Sequence, residues 1–444
     1  MRQVILILMF LSLALVASAQ RDNSFRYYDS LTFAQYNSAE WKLLASTGVK
    51  AISHGHDYYY MRMRIGISYY ERAKYLLAIR HFKKAIEYNK GDQIALEYLY
   101  YCYYFSNEFL QARALSKYFG PTLKKKTGIE TANSNRISID YLYFDANTED
   151  IIRESTINSP FSEAGTMIIP LSYSNFGVTM NHLYNSGSSI THSLSYLGRK
   201  NSLWSSNGIS LIPDFEQKVN QIQYSFSPSF AGESGVLFAP VAYYIHSSFN
   251  ILDFNSMGVG GSNAYQLKVS ENNIGGGFKL IANLRSFKPG ISAYISRLGQ
   301  IGYSQFGAEL MFFPLANKSF SLGMGYSNKR SNVYESLGVT NIFETKLGFS
   351  VRNRFFMDFK GLFGDLTNYI DNNGMVIYNG INKVDRVLKA DASFVAGQSG
   401  IIIYVGLRTS REYTAFIPED YIYSTKSLSE FNTYSIIGGL SWSF

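Results

Sequence analysis

The chain has 444 residues, 46% of them hydrophobic and 16% aromatic but only 17% charged, with a formal net charge of +8. So modest and dispersed a positive charge gives no nucleic-acid-binding patch, and the single cysteine, Cys102, excludes an intramolecular disulfide. Mean hydropathy is −0.08 despite 36 Tyr and 32 Phe, a balance that suits a wall with one apolar and one wet face.

The chain opens on Met1 and Arg2, an apolar stretch from Val4 to Val16, and the small residues Ala17, Ser18 and Ala19 ahead of Gln20. These are the three parts of a secretory signal peptide, so 1–19 reads as a cleaved leader and Gln20 as the first mature residue. No cysteine follows the small residues, so no lipid anchor is expected. No later run reaches the roughly 20 apolar residues a membrane helix needs. Membrane residence must therefore come from strands.

From Phe33 to about Phe119 the hydrophobic period is helical. Ala39 to Ala51 reads as one helix, with Trp41, Leu43 and Leu44. Gly66, Tyr69, Ala78, Phe82 and Ala85 then follow at intervals of 3, 9, 4 and 3 residues, and 34 residues on Leu99, Tyr100, Tyr103 and Ala112 keep part of the pattern, with Ser116 replacing the aromatic. This spacing resembles the tetratricopeptide repeat, whose small and aromatic positions let antiparallel helices pack and present a concave face. Ile65 takes the repeat's Leu position and Lys90 stands where its closing Pro would. The resemblance implies that Gly66, Tyr69, Ala78, Phe82, Ala85, Tyr103 and Ala112 are packing residues. Candidates for a partner-facing groove are Tyr58, Tyr59, Tyr60, Arg62, Arg64 and Glu71, because Tyr and Arg are enriched at interfaces. Cys102, set among Tyr98, Tyr100, Tyr101, Tyr103 and Tyr104, is expected to be a buried, inert thiol. Gly120, Pro121 and the triplet Lys124, Lys125 and Lys126 read as a basic linker, either solvated or touching anionic headgroups.

Beyond about Arg136 the period becomes two. Strands are expected near 136–145, 169–185, 189–200, 217–228, 235–247, 272–285, 290–298, 301–313, 319–329, 341–350, 354–364, 385–396, 400–409 and 433–444, about fourteen in all. Single-chain bacterial barrels have even strand numbers. Connections after every second strand are tight and most others are long, so both barrel ends and the helical module are expected in the periplasm. The long loops near 146–165, 248–270, 365–384 and 410–431 would then face outside.

In the last strand Tyr434, Ile436, Gly438, Leu440, Trp442 and Phe444 alternate with Thr433, Ser435, Ile437, Gly439, Ser441 and Ser443. An apolar side opposed to a Ser/Gly side suits a wall between lipid and a wet lumen. The segment resembles the closing strand of bacterial outer-membrane β-barrels, whose final Phe is an assembly signal. That resemblance makes Tyr434, Leu440, Trp442 and Phe444 a signal to the barrel-assembly machinery.

The same alternation puts Phe343, Leu347, Phe355, Phe359, Ile403, Val405 and Leu407 on the lipid side. It sends Lys279, Arg285, Glu309, Glu344, Lys346, Asp358, Lys360, Lys389, Asp391 and Arg408 inward. Charge facing hydrocarbon costs about 2–4 kcal/mol for Lys or Arg at mid-bilayer, so the placement is enforced. Two readings stay open: cross-strand pairs that fill a narrow barrel, or the lining of a path for a polar solute or polymer.

Catalysis finds little support and no cofactor is expected. His54-Gly55-His56-Asp57 has close spacing but reads as a loop between helices rather than a metal site. His246 and Ser248 resemble the His and Ser of outer-membrane phospholipases, yet with Val241, Tyr243 and Ile245 assigned to lipid, His246 would face inward.

The sequence thus reads as a two-part α+β protein: leader 1–19, helical module and linker 20–130, barrel 131–444. A periplasmic repeat module ahead of a barrel resembles the exporters of cellulose and poly-N-acetylglucosamine, although those carry more repeats and usually sixteen strands. The Tyr-rich composition resembles outer-membrane proteins of Bacteroidota. The resemblance implies a non-enzymatic outer-membrane protein whose helical module docks a periplasmic protein or exported polymer. The alternatives are a solute porin, or an adhesin acting through the 410–429 loop with Tyr413, Phe416, Tyr421 and Tyr423.

Overall fold

A computed structural model describes residues 24–129, 135–145, 164–184, 187–207, 211–232, 235–253, 265–299, 301–333, 336–371, 376–377, 382–397, 400–418 and 426–444. The leader, the loop 146–163, Tyr421 and Tyr423 lie outside the described residues. The chain divides into two compact units, one ending at Tyr103 and one running from Tyr104 to Phe444.

In the first unit Ser24 caps helix α1 (Phe25–Asn37), its hydroxyl accepting the Tyr27 amide proton at 3.2 Å. Helices α2 (Trp41–Ser53), α3 (Tyr59–Glu71), α4 (Tyr75–Tyr88) and α5 (Gln93–Phe105) follow. None is long and apolar enough to cross a membrane, which says nothing of strands. Between helices the chain turns through left-handed residues Ala39, Ala73 and Asn107, at φ 54°, 53° and 55°, spaced by 34 residues. Each donates its amide to the carbonyl of a Tyr three residues earlier, Tyr36, Tyr70 or Tyr104, at 3.1, 2.8 and 3.0 Å.

The sequence pattern marks two copies of this period, and the structure adds a third upstream. Leu44, Ala78 and Ala112 are buried equivalents at one position, and Ala51, Ala85 and Phe119 at another. Gly66 sits against Phe82, whose ring stacks on Tyr98 at 5.1 Å. Cys102 is fully buried, and burial alone pushes its thiol far up, out of the reactive range.

The second unit begins with α6 (Phe109–Ala114), a 3₁₀ turn (Leu115–Tyr118) and α7 (Pro121–Thr127). The expected basic linker is therefore a helix. Pro121 enters at its first turn, Leu123 is buried, and Gly128 ends it at φ 63°.

Fourteen antiparallel strands then close into a barrel. They are β1 (Asn135–Asp145), β2 (Ala164–Leu183), β3 (Ser188–Asn207), β4 (Leu211–Ala231), β5 (Val236–Asp253), β6 (Tyr265–Ala282), β7 (Phe287–Leu298) and β8 (Ile301–Phe312). There follow β9 (Phe320–Val333), β10 (Ser336–Val351), β11 (Phe355–Phe363), β14 (Val384–Ala396), β15 (Ile401–Pro418) and β16 (Lys426–Ser443). The pieces β12 (Ile370–Asp371) and β13 (Val376–Ile377) pair with each other apart from the wall. Closure comes from β1 against β16, Arg136 opposite Ser443 through Phe144 opposite Ser435.

The exterior is what hydrocarbon requires. On β16, Tyr434 (70% exposed), Ile436 (60%) and Trp442 (56%) point out, against Thr433 (1%), Ser435 (5%) and Ser441 (7%). Near the tight turns Phe238, Phe278, Phe287, Phe312, Phe320 and Phe349 form an aromatic band, with Phe287 stacked on Phe312 at 4.7 Å. Toward the other end Tyr196, Tyr244 and Tyr326 donate from their hydroxyls to Asn220, Asn272 and Asn341 at 2.7, 2.7 and 2.8 Å. Such amphipathic belts mark the two interfaces of a membrane-spanning barrel.

Three expectations are corrected. Arg285 is not lumenal: it lies exposed at φ 55° in the turn between β6 and β7. On β5 the faces are reversed, with Val241, Tyr243 and Ile245 buried inward while Tyr244 is exposed outside and His246, half-buried, holds Asn272 at 2.8 Å. His246 is thus on the outer face, so the inward-facing objection to the phospholipase likeness does not hold. The stretch 410–431 is not a free loop, because β15 and β16 continue through most of it and Phe416 is fully buried. Ala415 to Pro418 also pair with Ile168 to Gly165 of β2, and Phe416 packs with Met167, Ile169 and Phe431. The hairpin thus folds across one mouth of the barrel.

Candidate functional site: the barrel lumen

Inside the barrel the expected charges form one connected ladder. Lys279 meets Glu309 at 2.6 Å, Glu309 meets Lys346 at 3.0 Å, and Lys346 meets Glu344 at 2.7 Å. Glu344 meets Lys360 at 2.9 Å, Lys360 meets Asp371 at 2.5 Å, and Asp371 meets Lys389 at 3.0 Å. Intervening strands make room with glycine: a Cβ on Gly290 or Gly325 would stand 3.0 or 3.2 Å from the side chains of Glu309 and Glu344.

Asp371 belongs to the segment between β11 and β14, read from the sequence as an external loop. Instead its described part folds into the lumen. Gln305 accepts the Ile370 amide at 3.0 Å and donates to the Ile370 carbonyl at 2.8 Å. Lys329 donates to the carbonyls of Asp365 and Thr367, and Asn368 donates to the Tyr303 hydroxyl at 2.9 Å. Ile370 and Ile377 pack on Val241, Tyr243, Ile245, Tyr294 and Leu298, and Leu366 and Tyr369 on Ile342, Leu362 and Val387. This explains the reversal on β5. An apolar loop inside the barrel needs apolar wall to meet it. Burial, the largest influence, would raise the Asp371 carboxyl, but Lys389 and Lys360 outweigh it and hold the group well below the usual carboxylate range.

Between segment and wall lies a cavity of about 350 Å³, lined by Lys279, Glu309, Lys346, Asp358, Lys360, Tyr369, Asp371, Lys389 and Asp391 among others. Asp358 and Asp391 face each other in strand register. Arg408 also points inward, toward Asp140 and Tyr404.

At the tight-turn end Glu108, the residue that precedes α6, is buried and pairs with Lys288 and with Asn283, the latter at 3.1 Å. Lys288 and Lys318 lie over the Phe313 ring at 5.5 and 4.7 Å. Burial, and then Lys288, push the Lys318 ammonium down to about 8. Nothing in the sequence pattern singled out Glu108, because its partners are 175 and 180 residues away.

The groove candidates in the helical unit are not gathered on one open surface. Tyr58 donates to Asp29 at 2.5 Å and Arg64 pairs with Asp29 at 2.7 Å, joining α3 to α1. Arg62 is buried and forks onto Asp57 at 2.6 and 2.5 Å, and Tyr59 donates to Asp92. Tyr60 and Glu71 are exposed. Of the packing candidates, Gly66, Ala78, Phe82, Ala85 and Tyr103 are buried, Tyr69 is half-buried against His81, and Ala112 is buried on α6 in the second unit. His54 and Asp57 are turned to Lys50 and Arg62, and no metal-holding group of His, Cys, Asp and Glu occurs among the described residues.

No protein-family model matches the chain, and no curated protein sequence matches it. Among solved structures it is similar to a Pseudomonas aeruginosa FadL homologue, at 9% identity and a TM-score of 0.41 over 70% of this chain and 90% of that one. It is similar to the Pseudomonas putida toluene transporter TodX, at 8% identity and TM-score 0.41 over 70% and 89%. A third likeness is to the Acinetobacter baumannii outer membrane protein Omp33, at 7% identity and TM-score 0.33 over 70% and 99%.

Proposed function

We propose that the protein is a non-enzymatic outer-membrane conduit for small polar solutes, held shut by the segment between β11 and β14. One observation carries this reading: a polar cavity ringed by charges of both signs lies inside a closed, apolar-skinned barrel and is bounded by a segment folded in from a loop. Fourteen strands enclose more room than the eight whose interior side chains simply fill, so a wall lining and a removable filling can coexist. Solute flux into liposomes tests it. The intact protein should pass small sugars and amino acids slowly, and a variant with 366–377 replaced by a short Gly/Ser turn should pass them quickly. Equal flux through both, or none through either, overturns the reading.

A second reading concerns the helical unit, which we take to lie in the periplasm, a side supported by the tight turns and both barrel ends falling together. Its 34-residue period favours a tetratricopeptide-like role in docking a protein or exported polymer, and Leu43, Tyr60 and Ile94 are each more than half exposed. Deleting 33–105 should then leave the barrel inserted and abolish capture of that partner. Identical pull-downs from both forms would contradict it.

A further inference from the structure

Strand register reveals what the ion-pair ladder conceals. Lys346 lies opposite Lys360, Lys360 opposite Lys389, and Lys389 opposite Arg408, so β10, β11, β14 and β15 carry one cross-strand row of four basic side chains in the lumen. Like charges directly opposite across a ladder repel, and a row of them is tolerable only where anions sit between. Glu309 and Glu344 serve the Lys346 end. The Lys360–Lys389 step is bridged by Asp371, at 2.5 and 3.0 Å, and Asp371 comes from the folded-in segment rather than from the wall.

Such a step is a prepared anion site whose present occupant is tethered to the loop. We infer that the Lys360–Lys389 pair binds the carboxylate of a small solute, and that Asp371 is a built-in competitor which mimics that carboxylate while the segment is folded in. The cavity beside Asp371 gives the solute room. The segment's other holds are the Gln305 side chain on Ile370, the Lys329 ammonium on the Asp365 and Thr367 carbonyls, the Asn368–Tyr303 bond and apolar contacts, and none of these places a carboxylate on Lys360 or Lys389, so Asp371 is the hold a solute carboxylate would displace.

The inference rests on the conduit reading for its purpose, but its test reads binding and needs no flux. Full-length protein in detergent is titrated calorimetrically with succinate, with neutral succinamide and with inorganic phosphate. Removing the competitor in D371N should tighten succinate binding by about tenfold or more, because an occupied site lowers the competent fraction. Adding K360M and K389M to D371N should abolish it, and succinamide should not bind to any form. Should D371N fail to show the heat-modifiable migration of a folded barrel, D371S serves in its place. Equal succinate affinity in wild type and variant, or affinity that survives loss of both lysines, overturns the inference. Phosphate binding in place of succinate also overturns the carboxylate assignment. Binding without flux leaves the site standing and removes the conduit; flux without binding does the reverse.

Discussion

A methyl group added to Gly66 would stand 2.7 Å from the Phe82 ring, a contact only a shift of α3 or α4 can relieve. Gly66→Ala should therefore destabilise the helical unit by about 1–3 kcal/mol, as overpacking generally does. Loss of helical circular dichroism on heating checks it, and an unchanged midpoint would show that the two helices do not meet there. Lys318 offers a test of sign. Its folded-state value near 8 lies below the ordinary lysine value, so the unfolded chain binds more protons between about 8 and 10.5 and stability should climb with pH across that window. Lys318→Met should accordingly raise the barrel's melting temperature at pH 7, and the gain should vanish above about pH 10.5. Single residues of this kind were partly legible: the packing of Phe82 and Ala78 is what the tetratricopeptide resemblance implies, whereas Lys318 and Glu108 take their character from neighbours remote in sequence.

At the scale of the element, the two-residue rhythm sets which side chains meet lipid, and Leu407 is among the most exposed. Leu407→Arg should cost about 2–4 kcal/mol in membrane stability if the site lies near mid-bilayer. The inward-facing Ser393→Arg should cost less, and urea unfolding in liposomes distinguishes them. All fourteen wall strands were readable from alternation, because lipid outside and polar groups inside impose opposite demands on neighbouring residues. Where both faces of a strand turn apolar, that logic fails. Val241, Tyr243 and Ile245 were assigned to lipid for this reason, although they face the loop packed inside. The ends of β15 and β16 were likewise mistaken for loop, since Thr414 and Phe416 are buried beside β2 rather than alternating between lipid and water.

For the molecule as a whole, the sequence supplied the lumenal charges but not their arrangement. That Lys346, Lys360, Lys389 and Arg408 fall in one cross-strand row depends on register between strands, which turn geometry and barrel closure set and no single segment encodes. That a loop supplies the anion between two of them depends on a fold-back that polar loop composition does not announce. The central claim is that this segment closes the lumen. Planar-bilayer current through single barrels tests it most directly, comparing the intact protein with the variant in which 366–377 is replaced by a short Gly/Ser turn. The account predicts rare, small openings for the first and a steady, larger current for the second; indistinguishable currents would contradict it.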